Sequence, residues 1–347
     1  MSEIMFLQKR QMLVNFGKGK GNSQTTPTSA CFFNTPESLA LLDIKTLVTR
    51  SAHQSILIVA PHPDDETLGC GGAIALLRQL NVSVKVLIVS DGTKSHPNSL
   101  TYPPPALKEL RERESLAALA ILGVASEAVT FLGMPDGAVP IVETDAVTGG
   151  HGDEKSDKIE EYQQAMQRGL GEGLSPVVSQ AFKSPVGLPH ERYPKVSAKA
   201  YAKRYPKGLA SRRPLGLHQE AIALIYQHLT YLAPSIIFLP WRRDPHPDHR
   251  ASRQLFTAAI KNLATSPRMI EYPIWDWDSQ QRGDFADSIN AWRLDISSVL
   301  ELKRQAIAQY RSQISDLIKD DPQGFRLTPQ MLQNFTQPWE IYLEVKS

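Results

Sequence analysis

The stretch Ser55–Leu77, "SILIVAPHPDDETLGCGGAIALL", decides the fold. Its first six residues carry almost no polar alternation, which is what a strand buried on both faces of a parallel sheet requires. From Gly69 to Leu80 the apolar residues recur at helical spacing. Between the two lies a turn of prolines and acids, Pro61 to Glu66, too polar for either element. Strand, turn and helix in that order open a βα unit.

Outward from this unit the alternation continues. Strand Val82–Ser90, helix Ala106–Leu122 and strand Ala128–Leu132 are expected before residue 146. Helix Leu217–Leu232, strand Ser235–Leu239 ("SIIFL") and helix His249–Leu263 are expected after residue 215. Helix Glu37–Thr49, opened by Thr35 and Pro36, precedes the unit. Further on, "MIEYPIW", "AWRLDI" and "WEIYLEV" read as strands, with helix Ser298–Ile314 among them. The pattern predicts an α/β fold with a mostly parallel sheet and helices on both faces.

Composition narrows the class. With 347 residues and 41% hydrophobic content the chain can bury a large core, so disorder and collagen are excluded. No apolar run reaches the ~18 residues of a membrane span, and the opening "MSEIMFLQKRQ" lacks a signal-type apolar core. A cytoplasmic location, at most peripheral to a membrane, is the expectation. Two cysteines, Cys31 and Cys70, cannot build a disulfide framework or a cysteine-based zinc knuckle. The net charge of +2 does not point to nucleic acid, but it is unevenly spread. Glu143–Glu161 holds seven acidic and two basic residues, and Lys183–Arg213 nine basic and one acidic, for +8. Residues 146–215 therefore read as a charged insertion in one domain, 36–345, behind a lead-in of residues 1–35. The basic arm 183–213, with "RYPK" at Arg192–Lys195 and again at Arg204–Lys207, suits an anionic surface or substrate, unless it pairs with the acidic block.

Ligands of such sheets bind beyond the carboxyl ends of the strands. Two clusters stand there: "APHPDDET", Ala60–Thr67, after the first strand, and "WRRDPHPDHRAS", Trp241–Ser252, after "SIIFL". Prolines 61, 63, 245 and 247 hold their neighbours extended and stiffen both turns. Two histidines and a carboxylate are the protein ligands of many catalytic zinc sites, which keep a position open for water. His62, Asp65 and His249 can supply them. Asp64 is then a free carboxylate able to take a proton from water activated by the ion. His246, with Asp248 two residues on to orient it, is placed as an imidazolium facing a developing oxyanion. Zn²⁺ is the expected metal, and Fe²⁺ fits the same donor set.

These residues resemble the PIG-L/LmbE-like family of zinc-dependent de-N-acetylases. The resemblance rests on "PHPDDE" (Pro61–Glu66) with "GCGG", on "PHPDH" (Pro245–His249), and on "RERESLAALAILGV" (Arg111–Val124) and "FLGMPDG" (Phe131–Gly137). It extends to "KRQAIAQYRSQ" (Lys303–Gln313) and the terminal "WEIYLEV". It implies a Rossmann-like fold and removal of an N-acetyl group from a glucosamine-type sugar, giving acetate and a free amine. It also implies His62, Asp65 and His249 as zinc ligands, Asp64 as general base and His246 as the acid on the oxyanion side. Arg111 and Asp136 fall where relatives hold sugar hydroxyls. Tyr310 departs from the family, where many relatives carry His before the Ser-Gln pair.

Plainer readings stand beside these. Both motifs can be Asx-Pro turns with capping aspartates, and Asp136 in "PDG" can be a turn residue. Arg111 and Glu114 can be an exposed ion pair at helical spacing. An iron oxygenase would use His62, Asp64 and a distant His, but the alternation of strand and helix opposes the β-sandwich such enzymes generally need. A nucleotide-binding module would use "GCGGA" as a phosphate turn, against which stand the acids of "PDDE". A non-catalytic sugar-binding protein, or an amidase acting on another amide, completes the alternatives.

Overall fold

The computed structural model describes residues 39–47, 55–142, 217–275 and 289–345. The lead-in and the charged insertion, including the basic arm, lie outside them. The described chain runs β1 (Ala40–Leu41), β2 (Ser55–Ala60), α1 (Asp65–Gln79), β3 (Ser83–Ser90), α2 (Pro104–Ile121) and β4 (Val129–Met134). Then follow α3 (Leu217–Leu232), β5 (Ile236–Pro240), α4 (Pro247–Ile260), β6 (Arg268–Tyr272) and β7 (Ile289–Asp295). The chain closes with α5 (Leu300–Ile307), α6 (Arg311–Ile314), α7 (Pro329–Phe335) and β8 (Trp339–Val345).

All eight strands share one sheet in the order β1-β7-β8-β6-β5-β2-β3-β4. Pairing is parallel throughout except at β8, which runs antiparallel to β6 and β7. The two-residue period of each strand divides its side chains between two cores. Ile56, Ile58 and Ala60 join Ile236 and Phe238 on one face, packed by α1, α2 and α5. Leu57 and Val59 join Ile237 and Leu239 on the other, packed by α3 and α4. The expected mixed α/β sheet covered on both sides is thus the fold. Among the described residues no helix is long and apolar enough to cross a membrane.

β2 lies between β3 and β5, with Leu57 opposite both Lys85 and Ile237. The chain proceeds from β2 to β3 and β4 on one side and resumes with β5 on the other, so the crevice between β2 and β5 is a topological switch point. Both motifs leave the sheet there.

Three expectations are corrected. The helix over Glu37–Thr49 is, within its described part, the short strand β1 and a 3₁₀ turn at Ile44–Leu47. The Asp43 side chain accepts the Lys45 N–H at 2.9 Å and the Asp43 carbonyl the Thr46 hydroxyl, a local turn that competes with a helix, while Ala40 pairs with Trp292. Helices α1 and α4 begin earlier than the apolar period suggests, at Asp65 and Pro247, so Asp65 and His249 lie in first helical turns. The helix over Ser298–Ile314 is interrupted between Ile307 and Arg311, at Tyr310 with ψ 56°.

The glycines of "GCGG" serve packing. A Cβ on Gly69 would run into the Tyr272 ring and one on Gly72 into Ile296. Beside them Glu340 of β8 accepts the N–H groups of Gly72 (2.7 Å) and Ala73 (2.8 Å) and the Nζ of buried Lys303 (2.6 Å), tying α1, α5 and β8 together.

Candidate metal centre

The turn after β2 folds back on itself. Oδ2 of Asp65, in the first turn of α1, accepts the backbone N–H of His62 at 2.9 Å and lies 3.2 Å from its ring Nδ1. Asp64 occupies the N-cap position at φ 137°, a region that favours glycine, and its side chain makes no capping bond. Its carboxylate instead faces the Arg111 guanidinium, 3.0 Å away, and both residues are buried. A pair of merely capping aspartates would not leave Asp64 so engaged.

From β5, the first turn of α4 brings His249 across the switch point. Its Nε2 stands 3.2 Å from Asp65 Oδ2 and 3.2 Å from His62 Nδ1. Three donor atoms therefore form a triangle with 3.2 Å sides. Ligands ~2.0–2.2 Å from one tetrahedral ion are themselves about 3.3–3.6 Å apart, close to the spacing here, so these three donors could hold a zinc-type ion. His246 is close as well, its donor atom within 4.8 Å of those of His62 and His249.

Around the triangle stand carboxylates on the far nitrogens. His62 Nε2 is 3.3 Å from Asp136 and 3.5 Å from Asp248, and His249 Nδ1 is 3.2 Å from Asp244. Such partners fix ring orientation and raise ligand basicity in metal sites. Asp244 joins the site without a distinguishing mark of its own in the sequence. It is wholly buried, and it also accepts the N–H groups of His246 (2.9 Å), Ile274 (3.2 Å) and Trp275 (3.1 Å). What signal there is lies in "RRDPHPDH", where one of its two acids, Asp244, precedes both histidines.

Two expected roles meet different surroundings. The Asp248 carboxylate does not orient His246. It accepts the N–H groups of Gly137 (2.5 Å) and Val139 (3.3 Å) and faces His62, while its backbone N–H donates to His246 Nδ1 at 3.2 Å. Arg111 donates to the Pro63 carbonyl (2.5 Å), the Gly92 carbonyl (3.1 Å) and Asp64, so both of its terminal nitrogens hold the turn, while its Nε has no hydrogen-bond partner among the described residues. Nor are Arg111 and Glu114 an exposed pair: both are buried, and Glu114 accepts the Ser312 N–H at 2.8 Å and hydroxyl at 2.6 Å. Asp136 accepts the Lys94 N–H at 2.7 Å beside its contact with His62. Tyr310 is wholly buried, its hydroxyl bonded to Glu66 and 2.9 Å from Thr67 Oγ1, behind the turn.

The electrostatics follow from burial among opposite charges. Burial pushes Asp64 up to about 8, against the pull of Arg111 and helped by the charges of Asp65 and Glu66. Asp65 is buried too, yet His249 and His62 hold it far below the ordinary carboxylate range. Burial opposes charge on His249, but Asp65 and Asp244 override it and raise the ring to about 9. His62 behaves alike, raised well above its usual value by hydrogen bonds to Asp136, Asp248 and Asp65 against its burial. His246 goes the other way, down to about 4, through burial and the neighbouring His249 and His62 charges.

A parallel-cored α/β sheet with two histidines and a carboxylate converging at its switch point defines a metal-capable α/β protein of the doubly wound class. Within that class the chain belongs to the PIG-L family: the family pattern described as GlcNAc-PI de-N-acetylase matches residues 57–260. No curated protein sequence matches the chain. Among solved structures it is similar to a conserved protein of Thermus thermophilus, at 24% identity over 75% of this chain and 79% of that one, with a TM-score of 0.39. It is similar also to the N,N'-diacetylchitobiose deacetylase of Pyrococcus horikoshii, at 18% identity over 76% and 72% with a TM-score of 0.41. A third is the 4-carboxy-2-hydroxymuconate hydratase GalB of Pseudomonas putida, at 16% identity over 82% and 83% with a TM-score of 0.47.

Proposed function

We propose that the protein is a metal-dependent hydrolase that removes the N-acetyl group from an N-acetylglucosamine-type sugar conjugate, releasing acetate and a free amine. The observation that carries this reading is the 3.2 Å triangle of His62, Asp65 and His249 with Asp64 next to it in the same turn. Family membership supplies the reaction class. His62, Asp65 and His249 would hold Zn²⁺, or Fe²⁺ under reducing conditions. When bound, the ion polarises the amide carbonyl and eases loss of a proton from water. Asp64 takes that proton and passes it to the departing amine. Arg111 holds the Asp64 carboxylate in place. His246, with Nδ1 occupied as an acceptor, presents a Nε2–H donor to the oxygen on which negative charge develops. Asp136 and Asp248 keep the His62 ring turned toward the triangle. The basic arm 183–213 serves an anionic end of the substrate or the surface that carries it, in keeping with its charge of +8.

The deciding experiment is acetate release from a panel of N-acetylglucosaminides with different aglycones, run with metal analysis. Asp64→Asn should keep stoichiometric metal and lose ~10²- to 10⁴-fold in turnover. Asp65→Ala should lose metal and activity together, since three ligands rarely survive as two. An Asp64→Asn protein as active as the parent, or an Asp65→Ala protein with full metal content, sinks the assignment.

A further inference from the structure

We infer that Tyr310 is a positioning residue for Asp64, acting through Glu66; this rests on the reading of Asp64 as the base. Asp64 sits at φ 137° without a side-chain capping bond, so its backbone must be held from outside. The holder is Glu66, whose Oε2 accepts the Asp64 N–H at 3.1 Å. Glu66 is wholly buried, and its other oxygen receives the Tyr310 hydroxyl, with the Thr67 hydroxyl 3.4 Å away.

Tyr310 reaches Glu66 from 244 residues along the chain because the helix expected there is broken. The break turns the segment Tyr310–Gln313 across the back of the site. Ser312 donates twice to Glu114, three residues on from Arg111 along α2, and Gln313 Nε2 lies 3.3 Å from Ser95 Oγ in the loop after β3. One short segment thus touches the backbone of Asp64 through Glu66 and steadies the helix that carries its cationic partner. Tyr310 has no exposed surface with which to meet a substrate. Its work is therefore on the far side of the turn, and a phenol does it by donating to a carboxylate.

The test uses the metal-loaded full chain and the best substrate of the panel above. Tyr310→Phe removes only the hydroxyl. It should lower kcat roughly 10- to 100-fold, as loss of an outer partner does in metal sites, with KM and metal stoichiometry unchanged. The 61–68 peptide should exchange its amide hydrogens faster by mass spectrometry in the same variant. Glu66→Gln keeps an acceptor for Asp64 and a partner for Tyr310 and should retain most of the rate, whereas Glu66→Ala should not. This pair reads the same link even if Tyr310→Phe fails to fold. On an Asp64→Asn background, Tyr310→Phe should cost nothing further. A Tyr310→Phe protein with unchanged kcat and unchanged exchange, equal losses in the two Glu66 variants, or an additive double variant would overturn the inference. Failure of the base itself would show separately, as an active Asp64→Asn single variant.

Discussion

The backbone N–H of Asp248 donates to Nδ1 of His246 across 3.2 Å. That one contact decides a tautomer: with Nδ1 accepting, the neutral ring carries its proton on Nε2. The expectation of an imidazolium at this position therefore gives way. Burial and the positive charge at His249 and His62 push His246 down to about 4, and a divalent ion in their place would also oppose its protonation. A neutral imidazole still donates through Nε2.

His246 should then leave the basic limb of the pH profile to another group. His246→Gln, which offers an amide N–H, should leave that limb unmoved and keep measurable turnover. His246→Ala should lose ~10²- to 10³-fold in kcat, as removal of an oxyanion donor does. A basic limb that vanishes only in the His246 variants would restore the imidazolium.

The packing role of "GCGG" gives a second expectation. Gly72→Ala places a Cβ against Ile296, in a core without slack, and should destabilise the fold by about 1–3 kcal/mol in urea unfolding. Had these glycines cradled a phosphate, the substitution would instead cost nucleotide binding at unchanged stability. Measured nucleotide affinity in the parent chain, lost in Gly72→Ala with no change in unfolding midpoint, would revive that reading.

The strand cores and the two motifs were legible because each is local. "SILIVA" and "SIIFL" announce buried strands, and Pro-flanked His-Pro-Asp turns announce stiff loops beyond them. The rule that ligands gather at strand ends placed both motifs at one crevice, and the zinc donor set with the family resemblance pointed to His62, Asp65 and His249 within them. What sequence did not reveal depends on contacts distant along the chain. Asp244 reads as one more turn acid until Ile274 and Trp275 are seen donating to it. Tyr310 reads only as a departure from the family pattern until its hydroxyl is found on Glu66. The start of α1 is hidden in the sequence because Asp65 and Glu66 look like turn residues, though acids are favoured in a first helical turn.

Metal loading should be coupled to proton release, with a definite sign. In the metal-free protein His62 and His249 are held in the charged form, His249 up to about 9, by the carboxylates around them. A ring nitrogen must be neutral to bind an ion, so loading at neutral pH displaces those protons. Affinity for Zn²⁺ should rise between one and two decades per pH unit from pH 6.5 to 8.5 in competition titrations with a chelator, once the chelator's own protonation is accounted for. Stability should move the opposite way in the metal-free chain. A histidine raised above its unfolded value of ~6.5 contributes stability fully present below that pH and lost as pH climbs through the folded value. Asp64, raised to about 8 in the metal-free chain, acts in the same direction over this window, because its proton too is kept in the folded state and absent in the unfolded one, whereas a cation held beside it favours the ionised form that serves as base. The metal-free protein should therefore melt at a lower temperature at pH 9 than at pH 6.5, and saturating Zn²⁺ should remove or reverse the difference. A metal-free chain whose melting temperature is flat or rises over this range, together with pH-independent Zn²⁺ affinity, would show that the two histidines are neutral before the ion arrives.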